Sequence, residues 1–155
     1  MLKISKLADY GTLILTCLVR EPQRLQSAVE VAAQLGLPAP TVSKVLKILA
    51  RNGLLTSARG TCGGYLLARP ASEITVADVI GALDGPLGLT ECAVARGLCM
   101  QESSCRVRNN WLTVNQIVLR ALQQVTLEKM GGQLSAQATI DFVQTQRAKG
   151  KSIGG

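Results

Sequence analysis

The chain has 155 residues, 47% hydrophobic and 17% charged, enough to bury a core without disulfides and too apolar for general disorder. Aromatic residues make up only 3%, which argues against a single-strand nucleic-acid binder built on stacking platforms. Histidine is absent, and that excludes histidine triads, HExxH zinc proteases and histidine general bases. The net charge of +7 is unevenly placed: +6 over residues 1–70, −4 over 71–105 and +5 over 106–155. A basic N-terminal half suits a polyanion such as DNA, though charge alone is equally consistent with a solvated basic face. The acidic middle argues against nucleic acid wrapping the whole chain.

Five cysteines lie at 17, 62, 92, 99 and 105. Asp9 interrupts the apolar N-terminal run, no small-residue cleavage site follows it, and no apolar stretch reaches the ~18 residues of a membrane span. The expectation is a cytoplasmic protein without a membrane partner. Thiols there stay reduced, so clustered cysteines read as metal or redox sites.

In chain order, Leu7, Tyr10, Leu13, Ile14 and Cys17 recur at helical spacing and predict a first helix from near Ser5 to Arg20, ended by Pro22. A capping box, Ser27-Ala28-Val29-Glu30, opens a second helix that closes at Gly36. Pro38 and Pro40 mark a turn into a third helix, about 41–52, with Val42, Val45, Leu46 and Leu49 inward and Ser43, Lys44, Lys47 and Arg51 outward. Helix, Gly-containing turn and basic helix form the helix-turn-helix pattern. Two strand-like runs, 54–57 and 65–68, flank the glycine-rich Arg59-Gly60-Thr61-Cys62-Gly63-Gly64 and read as a wing hairpin; the loop lacks the GxxxxGK[ST] pattern of a phosphate cradle.

Thr75-Val76-Ala77-Asp78 begins a fourth helix, again with a capping box, ending near Gly85-Pro86. An aperiodic loop follows to about Ser104. From about Cys105, Trp111, Val114, Val118, Ala121 and Val125, with Leu112, Leu119 and Leu122 beside them, predict a helix of about five turns. Its broad apolar face serves either packing within the chain or dimerisation, and so small a domain has little else to cover it. The fold class is therefore mainly α: a winged helix-turn-helix with a two-stranded wing and a long C-terminal dimerisation helix. The expected divisions are 1–84 for the DNA-binding domain, 85–105 for the cysteine loop, 106–130 for the dimerisation helix and 131–155 for a weakly structured basic tail.

Cys92, Cys99 and Cys105 are separated by six and five residues. Zinc knuckles prefer C-x2-C steps, because a tight turn aims both sulfurs at one ion. Wider steps suit an iron–sulfur cluster, with a three-thiolate zinc site, a redox pair and chance as alternatives. Glu91 and Glu102 are nearby oxygen donors or simply solvated carboxylates. Cys17 reads as a small core residue. Cys62 lies in the wing near Arg59, whose charge favours a reactive thiolate.

Leu2-Lys3-Ile4-Ser5-Lys6, Val45-Leu46-Lys47-Ile48-Leu49-Ala50-Arg51-Asn52-Gly53-Leu54, the wing from Arg59 to Leu67, the cysteine triplet and Thr126-Leu127 together resemble the IscR-like winged-helix family of iron–sulfur cluster regulators. Within it, the chain is most similar to proteobacterial regulators of the SUF cluster-assembly system. The resemblance covers about residues 1–130. It implies a homodimeric, DNA-binding repressor or activator, with repressor the leading reading, whose state depends on a bound 2Fe–2S or 4Fe–4S cluster, without a small-molecule substrate. It places Thr41, Ser43 and Lys44 at the major groove, Lys47 and Arg51 on phosphates and Arg59 in the minor groove. Capping or solvent exposure remains the alternative for Thr41 and Ser43.

The IscR subgroup has an acidic residue at the position of Ser43 and completes its site with a histidine at the position of Arg108. The second departure leaves the fourth ligand open. Nitric-oxide-sensing relatives use an aspartate of the other subunit's first helix, and Asp9 stands at the matching place, with an ordinary helix-surface carboxylate as its other reading. The resemblance thus implies Cys92, Cys99, Cys105 and, in trans, Asp9 as ligands. A nitric-oxide sensor with the same cluster and a metal- or cluster-binding scaffold without specific DNA binding are the competing functions. An enzyme would need a C-x-x-C pair or a histidine base, and the chain has neither.

Overall fold

A computed structural model describes residues 3–132. Helix α1 (Lys6–Val19) starts on Ser5, whose hydroxyl oxygen accepts from the Ala8 amide and whose O–H donates to Asp84 at 2.6 Å, tying it to the end of α4 (Val76–Asp84). Helix α2 (Ala28–Leu35) carries the full Ser27–Glu30 capping box and ends on Gly36 in the left-handed conformation, φ 64°. Helix α3 (Ala39–Arg51) begins two residues before the predicted Thr41, because Pro40 fits a first turn that lacks amide partners anyway. Strands β1 (Leu55–Ala58) and β2 (Gly64–Leu67) pair antiparallel, Leu55 opposite Leu67 and Ala58 opposite Gly64, one residue off the predicted runs at either end. The Thr75–Asp78 capping box of α4 is also present.

Val42, Val45, Leu46 and Leu49 of α3 are fully buried with Ile14, Leu15 and Leu18 of α1, Val31 of α2 and Ile74. This is the core of a winged helix-turn-helix. Leu127 of the last short helix, α7 (Leu127–Gly131), joins it with no exposure. The chain reaches this point through α6 (Arg108–Gln123), after which Val125 accepts from the Val76 amide at 2.8 Å and Leu127 donates to Ile74 at 2.8 Å. The segment after the long helix therefore returns to pack against the N-terminal domain.

Two glycines sit at close approaches. A Cβ on Gly64 would lie 2.7 Å from the carbonyl of Gln26, the buried residue that exchanges backbone hydrogen bonds with Tyr65 and holds β2 against the start of α2. At Gly11, where α1 meets α4, a Cβ would meet a methyl at the movable end of the Leu83 side chain.

The region between Gly85 and Ser104 departs from the predicted structureless loop. Glu91–Val94 forms a one-turn helix, α5, against which Gly88 packs closely enough that a Cβ would meet Val94. Helix α6 begins at Arg108 rather than Cys105, and the 131–155 tail lies, apart from Gly131 and Gly132, outside the described residues. No helix among the described residues is long and apolar enough to cross a membrane.

Gly64→Ala forces Gln26 and the wing apart and is expected to lower stability by about 1–3 kcal/mol. Gly81→Ala, in α4 with nothing within 4 Å of its Cβ, is expected to raise stability by up to about 1 kcal/mol. Chemical denaturation of the two variants checks both signs.

Candidate nucleic-acid interface and cysteine loop

Burial of one face of α3 leaves the opposite face to solvent. Lys44, Lys47 and Arg51 are exposed, as is Arg59 just beyond β1 at the start of the wing turn. None of the four forms an ion pair among the described residues, so their charge is available to an anionic partner. Thr41 and Ser43 are half-buried in the first turns of α3. The cap of that helix is Pro38, with no side-chain hydrogen bond, so neither hydroxyl serves as the N-cap. The wing turn contains Gly60 at φ 116°, a conformation that a residue with a Cβ rarely adopts. Helix, turn, basic helix and wing thus form one face able to enter a groove while contacting phosphates.

The two remaining N-terminal cysteines behave differently. Cys17 is buried, its thiol donates to Gln34 Oε1 at 3.1 Å, and burial pushes its pKa up. Gln34 in turn donates to Gln26 Oε1 at 3.2 Å, so this thiol belongs to the packing beneath the wing. Cys62 is exposed in the wing turn.

Cys92, Cys99 and Cys105 are all unbridged and half-buried. Cys92 sits on α5, its sulfur 3.2 Å from the Thr90 hydroxyl. At the start of the segment, Asn115 of α6, only 5% exposed, accepts from the Leu89 amide at 2.9 Å and donates to the Leu87 carbonyl at 3.5 Å. At its end, Arg108 donates from Nη2 to Glu102 at 2.8 Å, and Glu102 also accepts from the Gly97 amide at 2.6 Å. The Gly97 amide first, then Arg108, holds the Glu102 carboxyl below the usual carboxylate range. Glu102 is therefore engaged in closing the loop, whereas Glu91 is exposed.

Among the described residues, no three cysteine or carboxylate side chains converge as for a single metal ion. A polynuclear cluster makes a different demand, since its ligands are distributed over more than one iron. The donor set, three reduced thiols on one segment, suits a soft iron centre. Arg108 Nε is buried without an acceptor among the described residues, and the Arg108 residue lines an open cleft of about 480 Å³ with Cys99, Arg96, Met100 and Glu102. Asp9 is exposed in the first turn of α1, where a carboxylate also complements the helix dipole.

Asn115 and the Arg108–Glu102 pair were not assigned these roles in the sequence reading. The signal for Asn115 was present: an amide between Trp111 and Leu119 on a helix face otherwise apolar. On the outer part of α6, Trp111, Val114 and Ile117 are 45%, 41% and 53% exposed, while Leu122 and Val125 pack against Ala8, Val76 and Ile80. The predicted apolar face thus divides between intramolecular packing and exposure.

The Rrf2 family model, described as an iron-dependent transcriptional regulator, matches residues 4–133. The chain is 31% identical over 117 residues to the HTH-type transcriptional regulator IscR of Xenorhabdus nematophila, covering 76% of this chain and 69% of that protein. With several other IscR proteins the match spans 61% of their length. Among solved structures, CymR, the global cysteine regulator of B. subtilis, superposes with TM-score 0.68 at 28% identity, covering 87% of this chain and all of that one. The IscR of T. potens superposes with TM-score 0.61 at 28% identity, covering 83% and 85%. An exposed basic helix face, a wing and a family match over most of the length converge on one conclusion: the chain belongs to the Rrf2 family and is a DNA-binding transcription regulator, not an enzyme.

Proposed function

We propose that this regulator senses an iron–sulfur cluster held by Cys92, Cys99 and Cys105 and represses genes of SUF-type cluster assembly as a homodimer. The observation that carries the reading is the set of three unbridged thiols on one segment clamped at both ends by α6. Asp9 of the partner subunit is the proposed fourth ligand, since a carboxylate replaces the histidine this chain lacks. When bound, the cluster supplies a redox- and oxygen-sensitive centre.

The protein's own residues do the rest. Trp111, Val114 and Ile117 give α6 an apolar face for a second copy, which places two recognition helices for the half-sites of one operator. Thr41, Ser43 and Lys44 read the major groove, Lys47 and Arg51 bind phosphates, and Arg59 enters the minor groove, where narrow A·T-rich DNA attracts a guanidinium. A ligand supplied in trans from α1 ties the cysteine segment of one subunit to the DNA-reading domain of the other, so loss of that tie reorients the recognition helices.

Protein purified without oxygen is expected to contain iron and acid-labile sulfide in stoichiometric amounts, with visible charge-transfer absorption. Serine at 92, 99 or 105 should abolish both, and Asp9→Ala should shorten cluster lifetime while the fold, read by circular dichroism, stays intact. Metal-free or zinc-only protein after reconstitution would refute the cluster reading. For DNA, Lys47→Ala is expected to weaken binding across sequences and to reduce the salt slope by about 1. Arg59→Ala should weaken A·T-rich sites more than G·C-rich ones, as measured by titrating labelled duplexes at several salt concentrations.

A further inference from the structure

The wing is held at its two edges by different means. At β1 the chain runs on from α3, and the Leu54 amide donates to the Leu49 carbonyl at 3.0 Å. At β2 the hold comes from Gln26, the residue before the α2 cap Ser27. The Tyr65 amide donates to the Gln26 carbonyl at 2.8 Å, and the Gln26 amide to the Tyr65 carbonyl at 3.0 Å. Tyr65 also lies opposite Ser57, and Gly64 opposite Ala58, the residue before Arg59. A hairpin attached along β1 alone would be free to pivot about that edge. The second attachment fixes its angle to α3.

Gln26 is itself held by its side chain, which is buried with the residue 1% exposed. Its Oε1 accepts from Gln34 Nε2 at 3.2 Å, and Gln34 Oε1 accepts from the Cys17 thiol at 3.1 Å. The relay joins α1, α2 and β2 through the one residue that grips the wing. A leucine would fill much the same volume without needing partners, while Gln34, at the surface, could turn to water. The Gln26 amide therefore contributes direction more than burial: a hydrogen bond has a narrow geometry, where apolar packing tolerates several placements.

We infer that Gln26, held by Gln34 and Cys17, is a positioning residue for DNA recognition: it sets the angle of the wing and with it the reach of Arg59 into the groove. The inference rests on the minor-groove placement of Arg59 proposed above. Arg59 follows β1 directly, so a change in wing angle moves its guanidinium, whereas Lys47, on α3, stays in place. The relay thus acts on what the wing discriminates and leaves the phosphate contact of Lys47 unchanged.

The test uses the full chain as wild type, Gln26→Leu and Gln34→Leu, each alone and combined with Arg59→Ala or Lys47→Ala. Labelled duplexes that differ only in A·T or G·C content under the wing are titrated at fixed salt. Gln26→Leu is expected to reduce the A·T preference several-fold, and Arg59→Ala should then change it little further, since both act through one contact. Lys47→Ala should weaken binding by the same factor on every background. Hydrogen exchange of the Tyr65 amide is expected to quicken several-fold in Gln26→Leu, while the pairing of β1 with β2 keeps its protection. If Gln26→Leu fails to fold, Gln34→Leu cuts the same relay from the surface and should act in the same direction. Wild-type preference in the folded variants, an Arg59→Ala effect of equal size on all backgrounds, or unchanged Tyr65 exchange would overturn the inference. Arg59→Ala without effect on the wild-type preference would instead overturn the minor-groove placement, and the reach of Gln26 to Arg59 with it; the hold on the wing is still read by Tyr65 exchange.

Discussion

The arrangement of the cysteine segment depends on the way one helix holds a loop with little core of its own. The segment from Gly85 to Val107 has no fully buried hydrophobic side chain: Leu87 packs partly buried against Ala8, Val76 and Ile80, whereas Leu98 and Met100 are exposed. Its order comes from α6, through the Asn115 amide at one end and the Arg108–Glu102 pair at the other. Each replaces the hydrogen bonds that water would otherwise make to the loop backbone. A loop held by a few polar contacts to a rigid element is well placed to respond to a bound group, because little apolar packing must be broken when its shape changes.

The same helix is continuous with the DNA-binding domain. Leu122 and Val125 pack on Ala8 of α1 and on Val76 and Ile80 of α4, and the next turn inserts Leu127 into the main core. Ser5 joins the start of α1 to the end of α4 through Asp84. A change at the cysteine segment therefore has a packed route to the elements that support α3 and the wing. This is a route made of contacts; a measured coupling would turn it into an allosteric one.

Much of the fold was legible because it is written in local rules. The Ser27 and Thr75 capping boxes, the left-handed Gly36 and the alternation of buried and basic positions on α3 each depend on residues within one or two turns. The wing register was legible to within a residue for the same reason. Features that depend on distant partners were not. Gly64 is explained only by Gln26, and the α5 turn only by Gly88 and α6. Of the candidate site, the three thiols and the basic residues could be read by type and spacing. Asn115 and Arg108 required knowing that α6 lies along the loop, and Glu102, which reads from the sequence as an oxygen donor or a solvated carboxylate, is instead held by Gly97 and Arg108.

The central claim is that the state of the cysteine segment sets the affinity of the recognition face. The most direct measurement compares DNA affinity of one anaerobic preparation before and after its iron is removed, on the same promoter fragment at fixed salt. A difference of roughly tenfold or more is expected, the scale of a coupling between two sites in one regulator. Equal affinity of the two forms for every operator tried would contradict it.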